Sequence, residues 1–233
     1  MINKKRTYVY FSIIFVFMAI SSILLVSCNR NNMELYKANI SEARYNYYYA
    51  EAQGYLVSFT SGIRESDFKL DGYHTENIEF GVITIILPKD IEYSGVATYR
   101  IEYDNKLASG TLEQNPFDGS LMADTGFAIY DVDMVIKFTM GDVSMAFNMK
   151  DMSNNLNMDY AGALELFVNN VDMDDFIVDK EFKAEIYIKI MHDDTIDSVY
   201  YYLIRVIGRD GRVLSGMINP ISGELMAVTS STL

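Results

Sequence analysis

The chain has 233 residues, half of them hydrophobic, and a formal charge of −13. Such apolar content excludes a disordered tail, and the length suits one large domain or two small ones with a real core. The acidity excludes nucleic acid as a partner, because phosphate binding needs clustered Lys and Arg, and the best basic run, Arg205 to Arg212, is broken by strand and turn residues.

The N-terminus sets the address. Lys4, Lys5 and Arg6 precede an uncharged apolar run, Phe11 to Val26, and then Leu25-Val26-Ser27-Cys28. This stretch resembles the signal and lipobox of bacterial lipoproteins. The resemblance implies that residues 1–27 are a signal peptide and are removed, and that the Cys28 sulfur carries a diacylglyceryl group. Residues 28–34 would then be a lipidated tether. Buried acyl chains hold at about 0.8 kcal/mol per CH₂, so two or three anchor a protein stably. The alternative is an uncleaved transmembrane anchor, for which the run is slightly short of the roughly 20 residues a span needs. Either way the remainder faces outside the cytoplasm, at a cell membrane or outer membrane. With Cys28 the only cysteine, no disulfide is available to the exported part. Its acidity serves solubility and opposes contact with anionic lipid.

Asn39-Ile-Ser-Glu42 has the shape of a helix capping box, and Tyr45, Tyr48, Tyr49, Ala52, Leu56, Phe59 and Ile63 follow at helical spacing. The pattern predicts a helix ending at Ser61-Gly62 and packed on a sheet. From Glu79 the period becomes two. Strands are expected at 80–87, 97–103, 107–113, 120–124, 127–140 and 143–150. A second helix is expected over about 159–169, carrying Tyr160, Ala163, Leu164, Phe167 and Val168. Strands then follow at 182–191, 198–207, 212–218 and 224–228.

Asn115-Pro-Phe-Asp-Gly-Ser-Leu-Met-Ala123 aligns with Asn219-Pro-Ile-Ser-Gly-Glu-Leu-Met-Ala227. Together with the matching order of elements, this predicts an internal repeat. The expected fold is α+β, mainly antiparallel β: two tandem helix-plus-four-strand units, 35–150 and 151–233, with an intervening β-hairpin in the first. Tyr202 to Val228, with Asp210-Gly211 and Asn219-Pro220-Ile221-Ser222-Gly223-Glu224-Leu225, resembles the end of PepSY-type modules, although Asn219 stands where that family has Asp. Tandem units of this kind also look like secreted beta-lactamase inhibitor proteins and cystatin-like modules, which implies binding of proteins or peptides. That implication is one of fold, not of site.

No catalytic constellation is present. His74 and His192 have no H-x-x-x-H or H-E-x-x-H partner and read as solvated turn residues; no nucleophile elbow or phosphate loop occurs. No enzyme activity, cofactor or catalytic metal is therefore expected. One stretch, Asn170 to Glu181, resembles an EF-hand loop, with Asn170, Asp172, Asp174 and Glu181 as candidate calcium ligands. It departs where Asp175 replaces the turn glycine. Two functions stay open: a non-enzymatic protein- or peptide-binding module displayed on the membrane, and a lipid or amphiphile carrier resembling the LolB and LppX-like half-barrels. For the second, Met134, Met140, Met145 and Met149 would make a pliable apolar lining.

Overall fold

The computed structural model describes residues 33–67, 73–93, 95–193 and 199–232. Cys28 and the signal before it lie outside the described residues. Contacts divide the chain into Met1–Asn39 and Ile40–Leu233. In the first unit a short helix, α1 (residues 33–37), carries a Lys37–Glu34 ion pair at 3.7 Å. Asn39 donates its side-chain N–H to the Leu35 carbonyl at 2.8 Å. Asn39 thus finishes a helix; it does not begin one.

The second unit is built on a closed barrel. Strands β1 (Ile40–Ala52), β2 (Tyr55–Glu65), β3 (Asn77–Ile86), β4 (Ala97–Tyr103), β5 (Lys106–Gln114), β6 (Leu121–Asp124), β7 (Met134–Met140) and β8 (Val143–Asp151) form it. Their order around the barrel is β1-β2-β3-β6-β5-β4-β7-β8, and β8 pairs back onto β1. Every neighbouring pair is antiparallel. Closure removes the sheet edges that would otherwise recruit other strands.

β1 is shared by the barrel and by an extension of the same 12-stranded sheet. Its C-terminal half closes the barrel through Tyr48 opposite Asp151 and Tyr49 opposite Lys150. Its N-terminal half, Ile40–Arg44, pairs in parallel with β11 (Ala184–Asp193). From β11 the sheet continues through β12 (Val199–Gly208) and β13 (Arg212–Asn219) to β14 (Glu224–Thr232). Between barrel and extension run α2 (Tyr160–Asn170) and a small hairpin, β9 (Ile177–Val178) and β10 (Glu181–Phe182).

The barrel interior is apolar and occupied. Tyr48, Val57, Phe59, Ile85, Phe138 and Phe147 belong to one buried cluster, and Met134, Met140 and Met149 join it. The second core lies under α2. Asp159 caps that helix by accepting a hydrogen bond from the Gly162 N–H at 2.7 Å. Ala163, Leu164 and Phe167 are its buried residues. Phe167 seats on Gly216 of β13: a Cβ there would come within 2.5 Å of the ring.

Two expectations are overturned. The helix expected over Tyr45 to Ile63 is the β1–β2 hairpin. Gln53 and Gly54 both take left-handed φ, 54° and 82°, as a two-residue type I′ turn requires. Tyr, Val, Phe and Thr on either side favour a pleated surface, and that preference outweighs a spacing that only mimics a helix.

The tandem architecture is overturned with it. The fold is mostly antiparallel β with a closed barrel, not two helix-plus-four-strand units. The first supposed unit has no such helix, and its strands pair as β3-β6-β5-β4-β7, whereas β11 to β14 form a sequential meander. The duplicated Asn-Pro motif reflects turn chemistry. In both turns the glycine N–H bonds to the asparagine carbonyl at 2.9 Å, with Gly119 and Gly223 left-handed at φ 76° and 70°. Both asparagine side chains also accept from the backbone two residues on, at Phe117 and Ile221.

The strand expected from Phe127 begins only at Met134. Residues 125–133 instead fold back onto the barrel: Ser61 Oγ donates to the Ile129 carbonyl at 2.9 Å, and the Val132 N–H donates to Tyr48 Oη at 3.3 Å. Ile129, 2% exposed, joins the core. The α2 helix and the strands at 97–103, 143–150 and 182–228 stand within a few residues of their expected places.

Candidate binding groove

The place where β1 leaves β8 for β11 is the most unusual point of the fold, and a groove of about 700 Å³ opens there. In the β1–β2 ladder Arg44 faces Gly62 and Asn46 faces Ser61, so Tyr45 is an extra, unpaired residue. Such a bulge bends the strand and re-aims the side chain beside it. Here it turns Tyr45 and Asn46 into the groove. The bulge crowds its partner strand: a Cβ on Gly62 would collide with the Ala43 carbonyl oxygen.

The opposite wall is the segment 153–162. Ser153 Oγ accepts from the Tyr47 N–H at 2.7 Å, and the Met152 N–H bonds to the Tyr47 carbonyl, so this wall is fastened directly to β1. Tyr160, the first residue of α2, stacks on Tyr45 with ring centroids 4.6 Å apart. Tyr130 also stacks near Tyr45, with ring centroids 5.9 Å apart, and the two hydroxyls lie 3.2 Å apart. Burial, then the neighbouring Tyr45, pushes the Tyr160 phenol up; burial, then the bond to Tyr45, does the same for Tyr130. Tyr202, also on the groove, is raised by burial first and by Asp159 second. These phenols are therefore neutral hydrogen-bonding groups at ordinary pH.

Asparagines supply the remaining polarity, and most of them serve the fold. Asn154 donates to Asp151 at 3.1 Å and Asn157 donates to the Ile221 carbonyl at 2.9 Å. Asn46 differs. It is 8% exposed, and its Nδ2 is buried without a hydrogen-bond partner. A buried donor left unmade costs about 1–3 kcal/mol unless something outside the chain accepts from it. Among the described residues no Lys or Arg lines the groove and one acid, Asp159, does, which disfavours anionic ligands. The Asp159 carboxylate already caps α2, so the surface otherwise combines tyrosine, asparagine and serine with Leu156 and Met158 around one unspent amide, chemistry suited to polar groups flanked by apolar surface.

The groove residues are distant in sequence, from β1, the 153–162 segment and β12, so no local motif announces them. Asn46 in particular carries no signal: beside three tyrosines it reads as an ordinary strand residue. Of the four candidate calcium ligands, a minor alternative to the expectation of no metal, three are engaged elsewhere. Asn170 ends α2 and donates to Leu166, Asp172 caps the Asp174 N–H, and Glu181 pairs with Lys183. Asp179 and Lys180 turn tightly with φ of 54° and 65°, making the segment a hairpin where a calcium loop would wrap. Among the described residues no group of three or more His, Cys, Asp or Glu is placed to hold a metal.

Neither histidine is a solvated turn residue. His74 Nδ1 lies 3.0 Å from Oε1 of Glu65, a carboxylate only 1% exposed that Ser41 and the Thr75 N–H also reach. His192, on β11, stacks on Tyr200 at 4.8 Å and neighbours Tyr49. One supplies a partner to a buried acid, and the other packs among aromatic rings.

The fold and groove define a closed antiparallel barrel with a sheet extension. No family model, curated protein or solved structure matches the chain.

Proposed function

We propose that this is a lipid-anchored protein of the bacterial cell envelope that binds an uncharged polar segment of a protein or peptide, without catalysis, in the groove at the barrel fork. The observation that carries this reading is the unspent, buried Asn46 amide beside the stacked Tyr45 and Tyr160. Asn46 Nδ2 is closed off from solvent, so a peptide carbonyl would accept from it as the groove wall shifts aside, with the neighbouring side chain against the tyrosines.

Asn46→Leu separates binding from stability. It removes an unsatisfied buried donor, so the thermal midpoint is expected to hold or rise. Affinity for peptides enriched from a displayed random library is expected to fall at least about tenfold, since a tenfold loss is only about 1.4 kcal/mol. Titration calorimetry with the best peptide reads one effect and a melting curve the other. A variant that melts lower and binds as before would refute the groove.

Anchoring rests on the Leu25-Val26-Ser27-Cys28 sequence. Cys28→Ser is expected to move the protein from the detergent phase to the aqueous phase on phase separation if the signal is then cut, or to leave an uncleaved, heavier chain in the membrane. In both cases intact mass would lack the lipid. A lipid-bearing Cys28→Ser protein would contradict this anchor.

A second reading has one observation in its favour. The closed barrel is compatible with a lipid-binding barrel carrier, and its interior is apolar and rich in methionine. That interior is occupied by Phe59, Phe138 and Phe147, so a ligand would first have to displace them. Native mass spectrometry of detergent-free protein distinguishes the readings: a co-purified, solvent-extractable lipid in the barrel supports the carrier, and a bare chain supports the groove.

A further inference from the structure

Strand β14 ends the extension sheet, and among the described residues no strand pairs with its outer edge. It runs for nine residues, all but Leu225 well exposed. Exposed edges are ordinarily guarded by lysine, proline or brevity, because an open row of N–H and C=O groups recruits other strands. From Leu225 to Thr232 this edge has no proline and no charge. Met226 and Val228, 48% and 44% exposed, add apolar surface on one face.

We infer that β14 pairs antiparallel with β14 of a second copy of this chain, about a two-fold axis at Val228. Charge selects this occupant. A chain of net charge −13 repels its own copies over most of its surface, and β14 offers a long stretch where two copies meet without opposing carboxylates. The register centred on Val228 sets Glu224 of one copy opposite Thr232 of the other. Within each copy Thr232 already faces Arg212, the one charged residue of β13, so no acid meets an acid at either end. A basic foreign strand would find only Glu224 to pair with along the same edge. The contact is isologous and therefore closes at a dimer, so the exposed edge is consumed without seeding fibres.

Cysteine crosslinking in membranes holding the full chain tests this. Val228→Cys places a thiol at the axis, and Phe117→Cys, on a turn residue 95% exposed, reports random collision. The chain with Cys28 alone supplies the baseline. Oxidation is expected to give at least about fivefold more disulfide-linked dimer from Val228→Cys than from Phe117→Cys. Adding Met226→Lys and Ser230→Lys, which the register sets opposite one another across the axis, is expected to abolish that excess while leaving the melting temperature unchanged, since like charges facing each other oppose pairing. Equal crosslinking of the two cysteines, or a dimer indifferent to the lysines, would overturn the inference.

Discussion

Raising the pH from 10 to 12 is expected to unfold this protein cooperatively. Tyr48 is fully buried in the barrel, and burial first, with the nearby Asp151 adding to it, raises its pKa to about 12 against the Val132 hydrogen bond, which lowers it. An unfolded chain gives up that proton near 10. The contribution of Tyr48 is therefore whole below pH 10 and is lost as pH climbs to the folded value, at about 1.4 kcal/mol per pH unit, or about 3 kcal/mol by pH 12. Tyr99, Tyr130, Tyr160, Tyr187 and Tyr202 are shifted in the same direction, each with burial as the first cause. Against a typical total of about 5–15 kcal/mol, the Tyr48 loss alone is a large fraction, and the other tyrosines act in the same direction. Phenolate absorbance and far-ultraviolet circular dichroism followed together check this. The buried tyrosines should titrate in step with loss of the β signal. A protein that kept its β signal while all 18 tyrosines titrated near 10 would contradict the packing described.

The second large effect is expected from Gly62→Ala. The added methyl carbon would occupy the position of the Ala43 carbonyl oxygen, and a backbone atom cannot rotate away as a side chain can. Either the β1–β2 ladder separates or the bulge at Tyr45 is lost, and the loss is expected to exceed about 4 kcal/mol, the range of severe core strain. Gly141→Asn provides the comparison. Gly141 is left-handed at φ 57° with nothing near its missing Cβ, and asparagine tolerates that conformation, so a change under about 1 kcal/mol is expected. Urea midpoints of the two variants give the ratio. Should Gly62→Ala retain a near-normal midpoint, the steric account of the bulge would be wrong.

Tyr48 and Gly62 lie on the same hairpin, where local pattern and fold disagree most. Tyr45, Tyr48, Phe59 and Ile63 do recur at helical intervals, yet the turn residues Gln53-Gly54 between them already carry the hairpin signal. A reading that weighs turn chemistry above spacing recovers β1 and β2. The α2 helix was legible because cap, period and length agreed: Asp159 before an apolar stripe with no competing turn. Most strands from Ala97 onward, the early start placed at Phe127 excepted, were legible because Asp104-Asn105, Gly141-Asp142 and the two Asn-Pro turns bracket alternating residues.

The amino-acid sequence by itself determined the acidity, the expectation of a lipid anchor at Cys28, most strand positions and the absence of a recognisable catalytic motif. Each is a property of neighbouring residues, and local chemistry is enough to read it. Only the tertiary structure decided that β8 closes on one half of β1 while β11 takes the other, that one Asn-Pro turn lies in the barrel and the other at the far end of the extension, and that Tyr45, Asn46, Tyr160 and Tyr202 share one groove. Strand pairing is chosen by the joint burial of distant side chains, here Tyr48 with Phe59, Phe138 and Phe147, and no window along the chain contains that sum.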